Sequence, residues 1–244
     1  MNTRYATVNP AANAGLVEGM KGLFNPVDTI SRQFKNGMMG EGVLGYDEIN
    51  MSQSVKQFTT GSRTNGAVNG TLSTEGGTSI VIDGLGAAGT VKAGEVFTVA
   101  GVYAVNPQTR ESTGSLQQFV VTADVTASAG GEATIAVSPA IYTSSNALAT
   151  VDSFPQNNAV VTFLGSASTA YPQNLVYHRD AITFATADLL LPQGVDMASR
   201  QVHNGISMRV VRQYDINNDR MPCRIDVLYG FGVIRPEMAV RLWG

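Results

Sequence analysis

Three short motifs in this sequence have residue types and spacings that could support catalysis or ligand binding. His178–Asp180 reads His-Arg-Asp, the catalytic triplet of protein kinases. Asp215, Asn217 and Asp219 alternate like the first ligands of a calcium-binding loop. Gly84–Gly89 has the glycine spacing of a dinucleotide-binding loop. Each motif needs a particular structural context before it indicates a function.

That context is missing for all three motifs. A kinase would carry an asparagine five residues after the aspartate, where Ala185 stands. A calcium loop that begins at Asp215 would have glycine in its sixth position, where Arg220 stands. The glycine motif lies among predicted strands, whereas a dinucleotide loop leads into a phosphate-binding helix. We therefore interpret the motifs as a strand in which the His178 ring satisfies a neighbour, a turn and a loop.

Metal and nucleophile chemistry also lacks a basis in the sequence. The chain has two histidines, His178 and His203, and one cysteine, Cys223, with no carboxylates at the spacing of a zinc site. Cys223 is predicted to pack as a small apolar side chain. We predict a protein that is not an enzyme, with no cofactor and no catalytic, cofactor-binding or metal-binding residues.

The composition is that of a globular protein with a large core and few charges. Of the 244 residues, 43% are hydrophobic and 14% are charged, against roughly 25% charged in ordinary soluble domains. Two explanations for the low content of charged residues remain open. Uncharged polar residues can make the surface of a β-protein hydrophilic, and surfaces buried between subunits are depleted in charge. A net charge of −3 gives no overall field that attracts nucleic acid. No apolar run approaches the roughly 18 residues of a membrane span, so we expect no membrane partner.

The C-terminal region has the alternation of β-strands. Apolar residues recur at every second position over 206–210 and 223–229. Arg209, Arg224 and Asp226 occupy the intervening positions. The pattern predicts two strands, each with one apolar side and one wet side.

Residues between these strands predict a hairpin. The stretch 215–219 is rich in turn-forming side chains, and Pro222 cannot donate to a strand ladder. Antiparallel pairing of the two strands follows. We expect their apolar side chains, including Ile225 and Leu228, to lie in the protein core.

The arginines of this region could suggest a nucleic-acid site. They are interleaved with aspartates and glutamates, and no aromatic stacking platform accompanies them. This pattern favours ion pairs between strands and between subunits. The arginines are Arg200, Arg209, Arg212, Arg220, Arg224, Arg235 and Arg241.

Residues 60–164 differ in composition from the rest of the chain. Gly, Ser, Thr, Ala and Val dominate, and short apolar runs at 79–82, 95–99 and 118–121 are separated by turn residues. This arrangement is typical of a small all-β unit, and we predict a barrel. Within it, Gly61–Gly77 has too much glycine and too few large apolar residues to contribute to a core. We expect an exposed loop there, with Arg63 and Glu75 near its ends.

Helix signals occur only in the first 59 residues. Asn25 precedes Pro26, which places a capping side chain before proline at the first helical position. A helix is predicted from there to residue 35 or 36. A second helix is predicted over 12–24, and an extended segment over 46–58. The second helix has one apolar face, formed by Leu16, Met20 and Leu23.

Several sequence words of the C-terminal region occur in a recognisable order. They are the aromatic-His-Arg-Asp-Ala strand at 177–181, Tyr214-Asp215, Arg224–Gly230 and Arg235–Glu237. These words resemble the carboxyl end of the major coat proteins of tailed phages, of the Salmonella podophage type that carries an inserted domain. Residues 92–121 closely resemble sequence in the inserted domain of some of these proteins.

The resemblance implies a fold class and a division of the chain. It implies an α+β protein with the tailed-phage capsid fold. Residues 1–59 and 165–244 would form the body, comprising the axial domain and part of the peripheral domain. Residues 60–164 would form an inserted all-β, barrel-like domain. Complete coat proteins of this type begin with an arm, an extended loop and a spine helix, so we expect this sequence to correspond to their carboxyl-terminal portion.

The resemblance also implies a function and partners. The protein would be a major capsid protein subunit that self-assembles into the icosahedral shell enclosing phage DNA. Its partners would be its own copies in hexamers and pentamers, the scaffolding and portal proteins, and packaged DNA in weak non-specific contact. It would be located in the virion capsid, and in the host cytoplasm before and during assembly.

Two further expectations accompany this assignment. A long loop of the inserted domain reaches a neighbouring capsomer in coat proteins of this type, and Gly61–Gly77 or Gly84–Gly89 would have that role. The alternative to a capsid subunit is a β-rich binding module of the virion or its tail.

Overall fold

The computed structural model of the chain describes residues 3–20 and 45–243. The chain divides into two compact units, each with its own hydrophobic cluster. Unit 1 comprises Met1–Val55 and Gln173–Gly244, and unit 2 comprises Lys56–Pro172. The helix predicted from Pro26 lies outside the described residues.

The described residues are rich in β-strands and contain one α-helix. In chain order the elements are β1 (Arg4–Val8), α1 (Pro10–Met20), β2 (Glu48–Met51), β3 (Gln57–Thr59), β4 (Gly66–Val68), β5 (Gly77–Asp83), β6 (Thr90–Val91), β7 (Val96–Val105), β8 (Ser112–Val121), β9 (Val125–Thr126), β10 (Ala133–Ile141), β11 (Val160–Phe163), β12 (Ala170–His178), β13 (Ile182–Ala187), β14 (Met197–His203), β15 (Ile206–Arg212), β16 (Cys223–Val233) and β17 (Ala239–Trp243).

In unit 1, helix α1 packs on a sheet in the order β17-β12-β1-β2. The helix begins at Pro10 because Asn9 caps it: the Asn9 side-chain oxygen accepts from the Ala12 N–H at 3.0 Å. Leu16 and Met20 then pack against the buried cluster of Ala6, Val8 and Ile49. The helix predicted over 12–24 is confirmed for its described part, and it starts two residues earlier.

A second sheet of unit 1 has four antiparallel strands in the order β13-β16-β15-β14. Strands β15 and β16 form the predicted hairpin, with Met208 paired to Val227 and Val210 to Ile225. An isolated bridge between Asp215 and Arg220 closes the turn.

Unit 2 is a closed barrel in the order β10-β5-β4-β11-β7-β8, and β8 pairs back to β10. The predicted strand runs lie in β5, β7 and β8, which confirms the barrel-like prediction. Inside it, the Phe97 ring lies 5.8 Å from Phe119 and 5.3 Å from Phe163, between ring centroids. These side chains are almost fully buried, because closure leaves the barrel interior no exposed side.

The prediction of an exposed loop over Gly61–Gly77 is wrong for the first part of the stretch, and it holds for residues 69–75, which form no strand and are mostly exposed. Residues 66–68 form β4 of the barrel, and Val68 is completely buried. The glycines serve close packing: a Cβ on Gly66 would lie 2.1 Å from the Asp83 carbonyl oxygen. Glu75 is held at the far end of the stretch, where its carboxylate accepts from the backbone and side chain of Thr143.

The predicted burial of the C-terminal hairpin is also wrong, although its strands are correct. Ile225 is 66% exposed and Leu228 is 46% exposed. Cys223, expected to pack as an apolar side chain, is exposed as well. Ile225 lies on the apolar side of this sheet, which no layer of described residues covers, whereas Leu228 lies on the opposite side with Asp226.

We predict that barrel and hairpin residues differ sharply in their effect on stability. Ile135→Ala, in the barrel core, should lower the free energy of unfolding by about 2–5 kcal/mol, because it leaves a cavity. Ile225→Ala in the isolated chain should change it by less than about 0.5 kcal/mol, since most of the side chain already contacts water. Denaturant unfolding of the two variants tests this. Equal shifts of the midpoint would contradict the exposure of the hairpin.

Candidate functional site

The four-stranded sheet of unit 1 has one predominantly apolar face, and this face is the strongest candidate for a functional surface. Residues paired directly across antiparallel strands point to the same side of a sheet. The register therefore places Phe184 with Phe231, Met208 with Val227, and Ile225 with Val210 on one side. We name this side the apolar face. Its large exposed side chains are Phe184, Met197, Ile206, Met208, Ile225, Val227, Tyr229, Phe231 and Val233.

The apolar face is unusual because many of its large apolar side chains are exposed to water. Phe231 is 78% exposed and Val233 is 62% exposed. Phe184 and Tyr229 stack with ring centroids 6.1 Å apart, so the aromatic side chains are arranged together on the sheet. Scattered apolar residues on a surface are ordinary, but a contiguous apolar surface typically marks an interaction site. This face can bury apolar area against a partner.

The opposite face of the same sheet carries a network of charged side chains. Arg209 donates from Nε and Nη2 to one carboxylate oxygen of Asp226, and Arg224 donates to the other at 2.8 Å. Arg209 and Arg200 also donate to the backbone carbonyl oxygens of Leu190 and Leu189. The predicted ion pairs between strands are therefore confirmed for β15 and β16. The hydrogen bonds from Arg200 and Arg209 to these carbonyl oxygens attach the segment after β13 to this face. The apolar face stays uncovered by described residues.

These arginines change the acidity of the carboxylate between them. The hydrogen bonds from Arg209, and then those from Arg224, hold the pKa of Asp226 below its usual value. The side chains of Arg209 and Asp226 are only 15% and 19% exposed, so water screens the pair less than it screens a surface pair. This pair holds β15 and β16 in register.

The hairpin turn is organised by its own side chains. Asp215 accepts from the Asn217 N–H and from the Asn218 side-chain amide, and these bonds lower its pKa, the side-chain bond most. Tyr214 donates its hydroxyl to Asp219, which raises the pKa of the tyrosine. The turn interpretation is therefore confirmed for a motif that resembles the start of a calcium loop.

The two remaining motifs form no catalytic constellation in the part of the chain that the structure describes. The Nδ1 atom of His178 accepts from the Asp180 N–H at 3.2 Å, and so caps the short 3-10 helix that follows β12. Gly84–Gly89 is a loop that leads into β6, and no helix follows it. Its central Leu85 is completely buried in the barrel core. Both interpretations from the sequence are confirmed.

The structure gives no indication of a metal site or a membrane helix within residues 3–20 and 45–243. Among these residues, no group of three or more His, Cys, Asp and Glu side chains could hold a metal ion. No described helix has the length and hydropathy needed to cross a membrane.

Sequence reasoning missed a buried ion pair in unit 2. Arg63 and Glu95 have side chains that are 3% and 0% exposed, and Nε of Arg63 donates to Oε2 of Glu95 at 2.7 Å. The prediction of an exposed loop over Gly61–Gly77 places Arg63 in water, whereas the structure buries it. No local signal in the sequence could have found the pair, because its two partners lie 32 residues apart.

Comparison with known proteins identifies one family. A family model described as P22 coat protein, gene protein 5, matches residues 2–244. No curated protein matches the chain.

The pKa of Asp226 gives a prediction about pH. Because its pKa is lowered on folding, its contribution to stability is fully present above the ordinary value of about 3.8 and is lost as the pH falls through the lowered pKa. The denaturant midpoints of the wild type and Asp226→Asn should therefore differ at pH 7 and converge below about pH 3.8. Asp188→Asn, which removes a more exposed partner of Arg200, is the control and should shift the midpoint little at any pH. A gap for Asp226→Asn that persists unchanged to the lowest pH would contradict the assignment.

Proposed function

Because the chain belongs to the P22 coat protein family, it is a major capsid protein that associates with its own copies in the virion capsid, and we propose that it does so as hexamers and pentamers of an icosahedral shell. The family match covers residues 2–244, so the assignment rests on nearly the whole chain. The alternative of a tail-associated binding module is not favoured by this match.

We propose that the apolar face is the surface through which unit 1 takes part in the shell. A folded subunit gains little by exposing Phe231 and Ile225 to water, and loses the free energy that their burial would supply. Interface cores between subunits are depleted in charge, and the paired residues at the centre of this face carry none. On this proposal the face is covered by apolar side chains of coat-protein polypeptide in the assembled particle.

We further propose that unit 2 is an inserted domain and that unit 1 belongs to the body of the capsid fold. A closed barrel with its own core supports the first part, because such a unit can fold without further layers. The adjacent strand residues Thr59 and Ala170 pair with each other, so the two ends of unit 2 lie side by side. Neighbouring ends are what an insertion into another domain requires.

Scaffolding and portal proteins, and weak contact with packaged DNA, are proposed as further partners. They rest on the resemblance to complete coat proteins. Assembly in the host cytoplasm is proposed on the same basis. The aspartates paired with Arg209, Arg212 and Arg200 compete with phosphates for these arginines. Any DNA contact should therefore be weak and dependent on salt concentration.

We predict that a charge on the apolar face prevents shell formation. Ile225→Asp should leave the subunit folded, because the side chain is exposed, and should block assembly, because an unpaired charge buried at a contact costs roughly 3–5 kcal/mol. Sedimentation and electron microscopy of the coat protein that carries the change would show few or no shell-sized particles.

The matched control for this experiment is Val202→Asp. Val202 is 55% exposed and lies on the opposite side of the same sheet. The Val202→Asp protein should assemble like the wild type. Normal particle yield from Ile225→Asp, with the substituted subunit present in the particles, would contradict the role of the apolar face.

We also predict that residues 56–172 fold when expressed alone. The fragment contains every strand of the barrel and the buried cluster around Phe97 and Ile135. It should give dispersed amide resonances and a cooperative thermal transition. Poorly dispersed resonances with no cooperative melt would show that unit 2 depends on the rest of the chain.

A further inference from the structure

Unit 2 contains a buried ion pair that lies outside the proposed assembly surface. The side chains of Arg63 and Glu95 are 3% and 0% exposed. By contrast, the nearby pair of Lys92 and Asp124 has side chains that are 47% and 62% exposed. Removing two charges from water is costly unless each is fully hydrogen-bonded. The contacts of both side chains therefore show what the pair holds in place.

Glu95 binds two backbone segments in addition to the arginine. Its Oε1 atom accepts from the Gly61 N–H at 2.6 Å and from the Lys92 N–H at 2.9 Å. Its Oε2 atom accepts from Nε of Arg63 at 2.7 Å. Both oxygens are thus engaged, and one carboxylate connects the start of unit 2 with the turn before β7.

Arg63 extends the connection to the last part of the barrel. Its Nη2 atom donates to the Leu164 carbonyl oxygen at 3.1 Å, and its Nη1 atom donates to the Gly165 carbonyl oxygen at 3.3 Å. The guanidinium carbon lies 4.4 Å from the centre of the Phe163 ring, which is the distance of a cation–π contact. The guanidinium therefore makes three kinds of contact: Nε bonds to Glu95, the two Nη atoms bond to backbone carbonyl oxygens, and the planar face packs on Phe163. A lysine ammonium could not reproduce all three.

Together the two side chains join three segments at one end of unit 2. The segments are 61–63, where the chain approaches the barrel, 92–95, and 163–165, where it leaves the last barrel strand. Neighbouring backbone bonds lie in the same place: the Ser168 N–H donates to the Gly61 carbonyl oxygen at 2.9 Å. A Cβ on Gly61 would lie 1.9 Å from the Thr90 carbonyl oxygen, so the backbone there is packed too closely for any other residue. We name these three segments, together with Ser168, the neck.

We propose that the Arg63–Glu95 pair is a clasp that keeps the neck closed and controls its opening separately from the barrel core. The core itself is held by apolar side chains such as Phe97, Ile135 and Val161, which the pair does not replace. Loss of either charge leaves the other buried without its partner, and the cheapest relief is for the neck segments to separate and admit water. Local opening of this kind leaves the remaining strands paired.

Hydrogen exchange on the full chain carrying Glu95→Gln tests the clasp. Glutamine keeps an oxygen that can accept from Gly61 and Lys92 but lacks the charge that balances Arg63. Exchange should accelerate on the order of ten- to a hundredfold at the neck amides of Gly61, Lys92 and Ser168, as expected for loss of a charged hydrogen-bond partner. The amides of β5 and β10 should exchange as in the wild type.

Asp124→Asn is the matched control. Asp124 also accepts from a backbone N–H, that of Ala93, and also pairs with a basic side chain, Lys92, but it is exposed. Its loss should leave the neck amides of Gly61 and Ser168 unchanged. Equal acceleration of these amides in both variants would overturn the proposal.

A second variant separates the two halves of the clasp. Arg63→Lys keeps a positive charge near Glu95 but loses the bonds to Leu164 and Gly165. The amide of Ser168 should then exchange faster, while that of Lys92 should stay protected. If Glu95→Gln unfolds the chain, or either variant accelerates exchange uniformly across β5 and β10, the pair is a general stability element and the proposal is wrong.

Discussion

A β-sheet with an apolar face must bury that face, and this constraint governs both units of the chain. Unit 2 meets it within one polypeptide segment, because six strands close on themselves and enclose Phe97, Phe119 and Phe163. The four-stranded sheet of unit 1 does not meet it among the described residues. One face receives a segment anchored by Arg200 and Arg209, and the other leaves Ile225 and Phe231 in contact with water. On the proposed function, this exposed face is the surface that becomes buried when subunits assemble.

The charged residues have different roles in the two units for the same physical reason. On the sheet of unit 1, Arg209 and Asp226 lie on the half-covered side and fix strand register while retaining some contact with water. In unit 2, Arg63 and Glu95 are removed from water and are tolerated because each of their polar groups has a partner. A chain with 14% charged residues thus uses part of them inside the fold. The remaining low surface charge is consistent with extensive contact between subunits.

The sequence was sufficient to locate strands, the hairpin and the barrel, because alternation and turn residues are local signals. It was insufficient to determine which strand faces are covered. Ile225, Val227 and Tyr229 have the alternation of a buried strand whether the covering layer belongs to the same subunit or to another. The glycine content of residues 61–68 wrongly predicted an exposed loop. Gly61 and Gly66 are instead positions where the backbone packs closely against neighbouring backbone. The Arg63–Glu95 pair joins residues 32 apart and has no local pattern that would reveal it.

The most direct test of the central claim is the reactivity of a thiol placed on the apolar face. Ile225→Cys in a Cys223→Ser background provides one such thiol, and Val202→Cys in the same background provides a reference on the opposite side of the sheet. Both thiols should react readily with a maleimide in the free subunit, because both positions are exposed. In assembled particles, the thiol at position 225 should become protected relative to that at position 202. Equal labelling of position 225 in free subunits and in particles would contradict burial of the apolar face in the shell.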